Sequence, residues 1–175
     1  MQQQQPIKEQ CEEVTSSLIG SMMILVDTDP ETNETLETCD TDSYGTQRWR
    51  LPNGQLHRSD DMPAVVWLNG QLEWYQNGQR HRDGDRPAFL GANGSQAWYQ
   101  NGLCHRDGDQ PAQIWADGRQ EWKQNGLPHR DGDQPAMVWP DGRQQWYQNG
   151  KCHRDGDRPA IIGAGGKQEW YQNGK

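Results

Sequence analysis

The residues that could do chemistry recur as a block. His81-Arg82-Asp83-Gly84-Asp85 returns as His105 to Asp109, His129 to Asp133 and His153 to Asp157. An imidazole can move a proton or bind a metal, paired carboxylates can hold Ca²⁺, and a guanidinium can clamp an anion. His57, His81, His105, His129 and His153 are all the histidines of the chain and stand 24 residues apart. Trp74, Trp98, Trp122, Trp146 and Trp170 keep that interval, as do Pro63, Pro87, Pro111, Pro135 and Pro159.

Each chemical reading meets a physical objection. A His-Arg-Asp triplet also opens the catalytic loop of protein kinases, but that loop runs on to a metal-binding Asn inside a far larger domain and does not recur. Each Asp-Gly-Asp offers only two carboxylates, and Arg82 and often Arg86 or its equivalent compete for their oxygens, so a turn with ion pairs is favoured over a calcium site. Histidines about 10 Å apart cannot share a metal whose ligands lie at ~2 Å. No nucleophile and base recur together outside the repeat background. The expectation is a protein that is not an enzyme, with no catalytic residue, metal ligand or cofactor, in which His81, His105, His129 and His153 are structural partners of the periodic Trp.

The elements that position these residues are hairpins. Every unit carries two Asn/Asp/Gly-Gly dipeptides eight residues apart, as at Asn69-Gly70 and Asn77-Gly78. A two-residue Asn-Gly or Asp-Gly loop supplies the positive φ of a type I′ turn. Counting outward from Asn69-Gly70 pairs Leu68 with Gln71, Trp67 with Leu72, Val66 with Glu73 and Val65 with Trp74. That places Val65, Trp67, Leu72 and Trp74 on one face and Ala64, Val66 and Tyr75 on the other. Counting outward from Asn77-Gly78 pairs Tyr75 with Arg80 and Trp74 with His81. Arg82 to Ala88, with its Asp-Gly and Pro87, reads as a bend between hairpins. The fold expected is all-β: an elongated single-sheet solenoid of tandem β-hairpin repeats, with two principal strands per repeat and a short irregular N-terminal segment. Residues 46–175 hold about five and a half 24-residue repeats, and residues 1–45 stand outside the period.

Composition agrees. The chain has 175 residues, 31% hydrophobic, with nine Trp, one Phe and a mean hydropathy of −1.20. So few aliphatics cannot fill a thick two-layer core, while nine tryptophans are too many for a solvated coil. The unit Leu103 to Gly126 has only Leu103, Cys104, Ala112, Ile114, Trp115, Ala116 and Trp122 as apolar members, too few to order a lone repeat, so the copies must stack. The net charge of −8 is uneven: residues 1–47 carry ten acids and one Lys, whereas residues 48–175 carry sixteen Lys/Arg and fifteen acids. An almost neutral array argues against nucleic-acid binding, which needs a basic excess.

The front of the chain lacks the basic start of a secretory signal, and its apolar stretch Leu18 to Val26 is about half the ~20 residues that cross a bilayer. Gln2 to Gln5 reads as disordered, Ile7, Cys11, Val14 and Leu18 fit a helical stripe, and Met22 to Val26 and Thr35 to Tyr44 read as short strands, together a cap for the array, with a disordered tail as the alternative. The first repeat is degenerate: Arg50 stands at the periodic Trp, Trp49 comes one place early, and Ser59-Asp60-Asp61 replaces Asp-Gly-Asp. Cys104 and Cys152, two repeats apart, are too far for a disulfide and read as free thiols, while Cys11 and Cys39 could pair or stay free.

The pattern WYQNGxxHR followed by WADGRQEW resembles the MORN-repeat family, a β-hairpin repeat with an aromatic, a Trp, a turn Gly and a following His. Trp122, Gly126 and His129 and their counterparts match that core over roughly residues 46–175. Arg130 stands where the family usually has Gly after His, and the inserted DGDxPA is closer to variant repeats of large DNA viruses, protists and bacteria. The resemblance implies scaffolding and protein association, sometimes at a membrane surface, in a cytoplasmic or virion-associated setting. The expected function is a non-enzymatic scaffold with protein partners. Its interaction surface would use Trp67, Trp115, Trp139, Trp170 and Tyr171, with Trp74, Trp98, Trp122 and Trp146 as packing residues. Trp170 lacks the His-bearing strand that follows its equivalents, which suggests homodimerisation through the C-terminal repeat edge. A phosphoinositide- or membrane-binding module and a glycan- or peptide-binding module are the rival expectations.

Overall fold

A computed structural model describes residues 36–175. The readings for Gln2 to Gln5, for the stripe from Ile7 to Leu18, for Met22 to Val26 and for Cys11 lie outside the described residues. What is described is all-β, its only helical element being a short 3-10 turn at Ala164–Gly166. Twelve short strands, two per repeat, form one antiparallel sheet in which each strand pairs with the next in chain order: Thr38–Thr41, Gln47–Arg50, Val65–Val66, Leu72–Glu73, Phe89–Leu90, Gln96–Ala97, Gln113–Ile114, Gln120–Glu121, Met137–Val138, Gln144–Gln145, Ile161–Ile162 and Gln168–Glu169. Thr38–Thr41, within the strand expected over Thr35 to Tyr44, extends the array by pairing with Gln47–Arg50.

The two turns of a repeat are of different kinds. At Asn77-Gly78 both residues have positive φ, +49° and +78°, and Tyr75 pairs with Arg80, as a type I′ turn requires. These turns close four side hairpins, the first of them Tyr75–Gln76 with Gln79–Arg80. At Asn69-Gly70 only Gly70 is left-handed, its N–H donates to Trp67 O at 2.9 Å, and the Trp67 N–H donates to Gln71 O. The loop there is Leu68-Asn69-Gly70, three residues long, because Asn69 uses its side chain to accept the Gln71 N–H at 3.0 Å.

The extra loop residue shifts the register by one from the sequence expectation. Val65 pairs with Glu73 and Val66 with Leu72. Trp67 therefore shares a face with Val65, Gln71 and Glu73, and leaves the face of Leu72 and Trp74 to which the two-residue count assigned it.

Trp74, Trp98, Trp122 and Trp146 are buried, only 5–8% exposed, beside the fully buried Ala88, Ala112, Ala136 and Ala160. Each Trp N–H donates to the following Ala carbonyl, and each Trp carbonyl accepts the N–H of its own His, as in Trp74 with Ala88 and His81. The degenerate first repeat keeps this pattern. Trp49 donates to Ala64 O and accepts from the His57 N–H, and a longer loop closed by Gly54 N–H to Leu51 O absorbs the one-residue offset. Cys104 and Cys152 are free thiols, and burial pushes Cys104 up to about 11.

Candidate functional site

The His-Arg-Asp-Gly-Asp block forms a seam between repeats. The Arg106 guanidinium lies 3.8 Å from the centre of the Trp98 ring and donates to both carboxylate oxygens of Asp85, 21 residues back, at 2.5 and 2.8 Å. A further bond runs to Pro111 O at 3.2 Å. Arg82 does the same with Trp74, Asp61 and Pro87, Arg130 with Trp122, Asp109 and Pro135, and Arg154 with Trp146, Asp133 and Pro159. The planar fork fits a carboxylate and stacks on indole at once, which Lys could not do. Hydrogen bonds from these arginines hold Asp61, Asp85, Asp109 and Asp133 below the ordinary carboxylate range.

The histidines complete the seam. Nδ1 of His81 accepts the N–H of Asn101, 20 residues on, at 3.0 Å, and Nε2 lies 3.1 Å from Asp83 Oδ1. His105, His129 and His153 repeat both contacts, with Asn125 and Asp107, Asn149 and Asp131, and Asn173 and Asp155. A backbone N–H can only donate, so Nδ1 is the unprotonated nitrogen and Nε2–H points to the carboxylate. The sequence reading paired each Arg with the Asp of its own bend. The partner instead belongs to the preceding repeat, and the signal was the constant 21-residue separation. Among the described residues no group of three or more His, Cys, Asp or Glu is placed to hold a metal ion.

The second feature is the Trp67 face. Trp67 is 36% exposed and donates its indole N–H to Glu73 at 3.1 Å, with Arg48 5.6 Å above its ring. Trp115 and Trp139, half-buried, are overlaid by Arg119 at 3.6 Å and Arg143 at 5.1 Å. Tyr171 lies on this face with its hydroxyl 3.3 Å from Glu169. Trp170, 52% exposed, belongs with Trp74 and its equivalents and stands outside the row. The structure thus brings Trp67, Trp115, Trp139 and Tyr171 to one face and leaves Trp170 apart.

Midway along the row the face dips. Gly91 stands where Trp67 and Trp115 stand, Ser95 replaces Gln71 and Arg119, and Ala97 replaces Glu73 and Glu121. The resulting hollow, about 180 Å³, is lined by Arg80, Phe89, Ser95, Ala97, Tyr99 and Trp115. Arg80 sits among Tyr75, Phe89 and Tyr99, 4.9–5.6 Å from each ring centre, and its charge is held by Glu73 beside it. Burial works against that charge, but the Glu73 contact outweighs it, so Arg80 is raised and Glu73 lowered. Glu121 has Lys123 3.4 Å away and Arg119 farther off, and there burial prevails over both and pushes the carboxyl up. The hollow was not foreseen, although the departures from the period at 91, 95 and 97 marked it.

A 24-residue period, successive hairpins in one sheet and an Arg–Asp seam between repeats define a tandem β-hairpin repeat protein. No protein-family model matches the chain, and a search of the curated proteins finds no match. Among the described residues no helix is long and apolar enough to cross a membrane.

Proposed function

We propose that this protein is a non-enzymatic scaffold of the MORN type that holds protein partners along its Trp67 face. The observation that carries this reading is the row of half-exposed Trp67, Trp115 and Trp139, each held beneath or beside an arginine on a sheet whose repeats are locked by the seam. Aromatic and arginine side chains on a rigid support are the residues that dominate protein interfaces. The near balance of charge in residues 48–175 supports contact recognition over long-range attraction.

Co-purification from the native source, with wild type beside a Trp67→Ala/Trp115→Ala/Trp139→Ala variant, tests it. The expected result is one stoichiometric protein partner kept by wild type and lost by the variant, with circular dichroism unchanged. A partner kept equally by both would overturn the reading. So would saturable binding of wild type to anionic vesicles or to a glycan with no protein retained.

A further inference from the structure

Positions 67, 91, 115, 139 and 163 lie at equivalent points of five repeats and read Trp, Gly, Trp, Trp, Gly. Reversed, the series reads Gly, Trp, Trp, Gly, Trp. We propose, resting on the protein-association reading, that the Trp67 face docks a second copy of this chain, antiparallel, about a two-fold axis that runs along the strands through Trp115.

That axis preserves position along a strand and inverts the order of repeats, so the Trp column meets the Trp column reversed. Trp67 of each copy then faces Gly163 of the other, Trp139 faces Gly91, and the two Trp115 rings meet on the axis. Each residue contact is reciprocal, as an isologous interface demands. Moving the axis half a repeat toward the amino end sets Trp67 against Trp139 twice. Moving it half a repeat the other way sets Trp115 against Trp139 twice and glycine against glycine. Only the axis at Trp115 gives every glycine a tryptophan.

Local shape supports the match. The hollow of about 180 Å³ lies over Ser95 and Ala97, on the strand after Gly91, and is walled by Phe89, Tyr99 and Trp115, and a cavity of ~150 Å³ accepts a benzene-sized ring. Charge follows the same inversion. Gln71, Ser95, Arg119, Arg143 and Lys167 stand one strand on from Trp67, Gly91, Trp115, Trp139 and Gly163, half a repeat along the row. An axis at Trp115 therefore sets Arg119 against Ser95 and Arg143 against Gln71, and these pairs bring no like charges together. At ~10 Å per repeat, five repeats make a face about 48 Å long.

Sedimentation equilibrium of the full chain is the test. Wild type should dimerise. Trp139→Gly, a residue the chain itself uses at 91 and 163, should weaken the dimer at least tenfold, and so should Ser95→Arg, a residue the chain itself uses at 119 and 143, which keeps every Trp, fills the hollow and sets a second arginine against Arg119. Trp170→Ala, off the face, should leave the dimer unchanged. A Gln71→Cys/Arg143→Cys double variant, judged against wild type and each single variant, should oxidise to a covalent dimer when neither single variant does. That arm keeps every Trp and Gly of the row and reports the pairing directly. A wild-type monomer at about 100 µM, or a dimer that Trp170→Ala breaks and the face variants spare, would overturn the pairing. A monomer that still keeps a stoichiometric partner through Trp67, Trp115 and Trp139 refutes the pairing alone and leaves the scaffold reading standing.

Discussion

Trp74 and Trp98 occupy equivalent sites but differ in one bond. The Trp74 indole N–H donates to Asp61 O at 2.9 Å, whereas among the described residues Trp98, Trp122 and Trp146 have buried indole N–H groups with no acceptor. The difference lies in the bend. Asp60 and Asp61 are both left-handed and turn the Asp61 carbonyl toward the ring, while in later repeats Gly84 or its equivalent takes the positive φ alone. Trp74→Phe should therefore cost about 1 kcal/mol more than Trp98→Phe in urea unfolding, since only the first loses a hydrogen bond. Equal costs would show that the later indoles also find acceptors. Glu121 gives a second test. Its carboxyl is raised because burial outweighs Lys123, so the folded state holds this proton more tightly than the unfolded chain does. The stability this group contributes is present at acid pH and lost as pH rises through its folded value. Glu121→Gln should then raise the urea midpoint at pH 7 and leave it nearly unchanged at pH 3, with Gln145 showing that the next repeat already accepts the amide.

The two turn types show what was legible in the sequence and what was not. The hairpin at Asn77-Gly78 was readable because the dipeptide sets its geometry: two adjacent left-handed residues, with the Asn77 N–H turned outward to His57 Nδ1 of the preceding repeat. The turn at Asn69-Gly70 carries the same dipeptide, yet the Asn69 side chain captures the Gln71 N–H and leaves only Gly70 left-handed, so register and face assignment moved by one residue. A dipeptide does not encode that choice, whereas the spacing of Trp and His fixed the strand count and the period. The seam stayed hidden for a different reason: its pairs join residues 21 apart in neighbouring repeats, and a single bend offers every Arg a nearer Asp. A matched pair of substitutions separates the turns. Asn125 sits at φ +50°, so Asn125→Ala should cost about 1–2 kcal/mol in backbone strain. Asn93 has ordinary φ and only accepts the Ser95 N–H at 3.0 Å. Asn93→Ala should cost about 1 kcal/mol or less, measured by the same urea titration.

Across the whole molecule, stability is a sum of repeats and the seams between them. Asp61, Asp85, Asp109 and Asp133 are all lowered by hydrogen bonds from the arginine of the next repeat. A depressed carboxyl stabilises the folded state above its unfolded value, near 3.9, and that stability disappears as pH falls through the folded value. Through these groups the midpoint should hold steady from pH 7 to pH 5 and drop below about pH 4, an acid limb that Arg106→Met should shorten by removing one pair. The same additivity makes length adjustable in units of one period only. Removing residues 113–136 joins Ala112 to Met137, which restores the Ala-Met junction already present at Ala136. Arg154 then finds Asp109 at the distance in sequence where Asp133 stood, and the Asn149 N–H finds His105 in place of His129. This shortened chain should unfold cooperatively with a lower melting temperature, and its long dimension by small-angle X-ray scattering should fall by about 10 Å. Removing residues 113–124 instead joins Ala112 to Asn125, puts a turn where the sheet needs a strand, and leaves Arg130 nine residues from Asp109. That chain should show no cooperative transition. If both deletions melt alike, the seam does not set the register, and the sheet alone holds the repeats together.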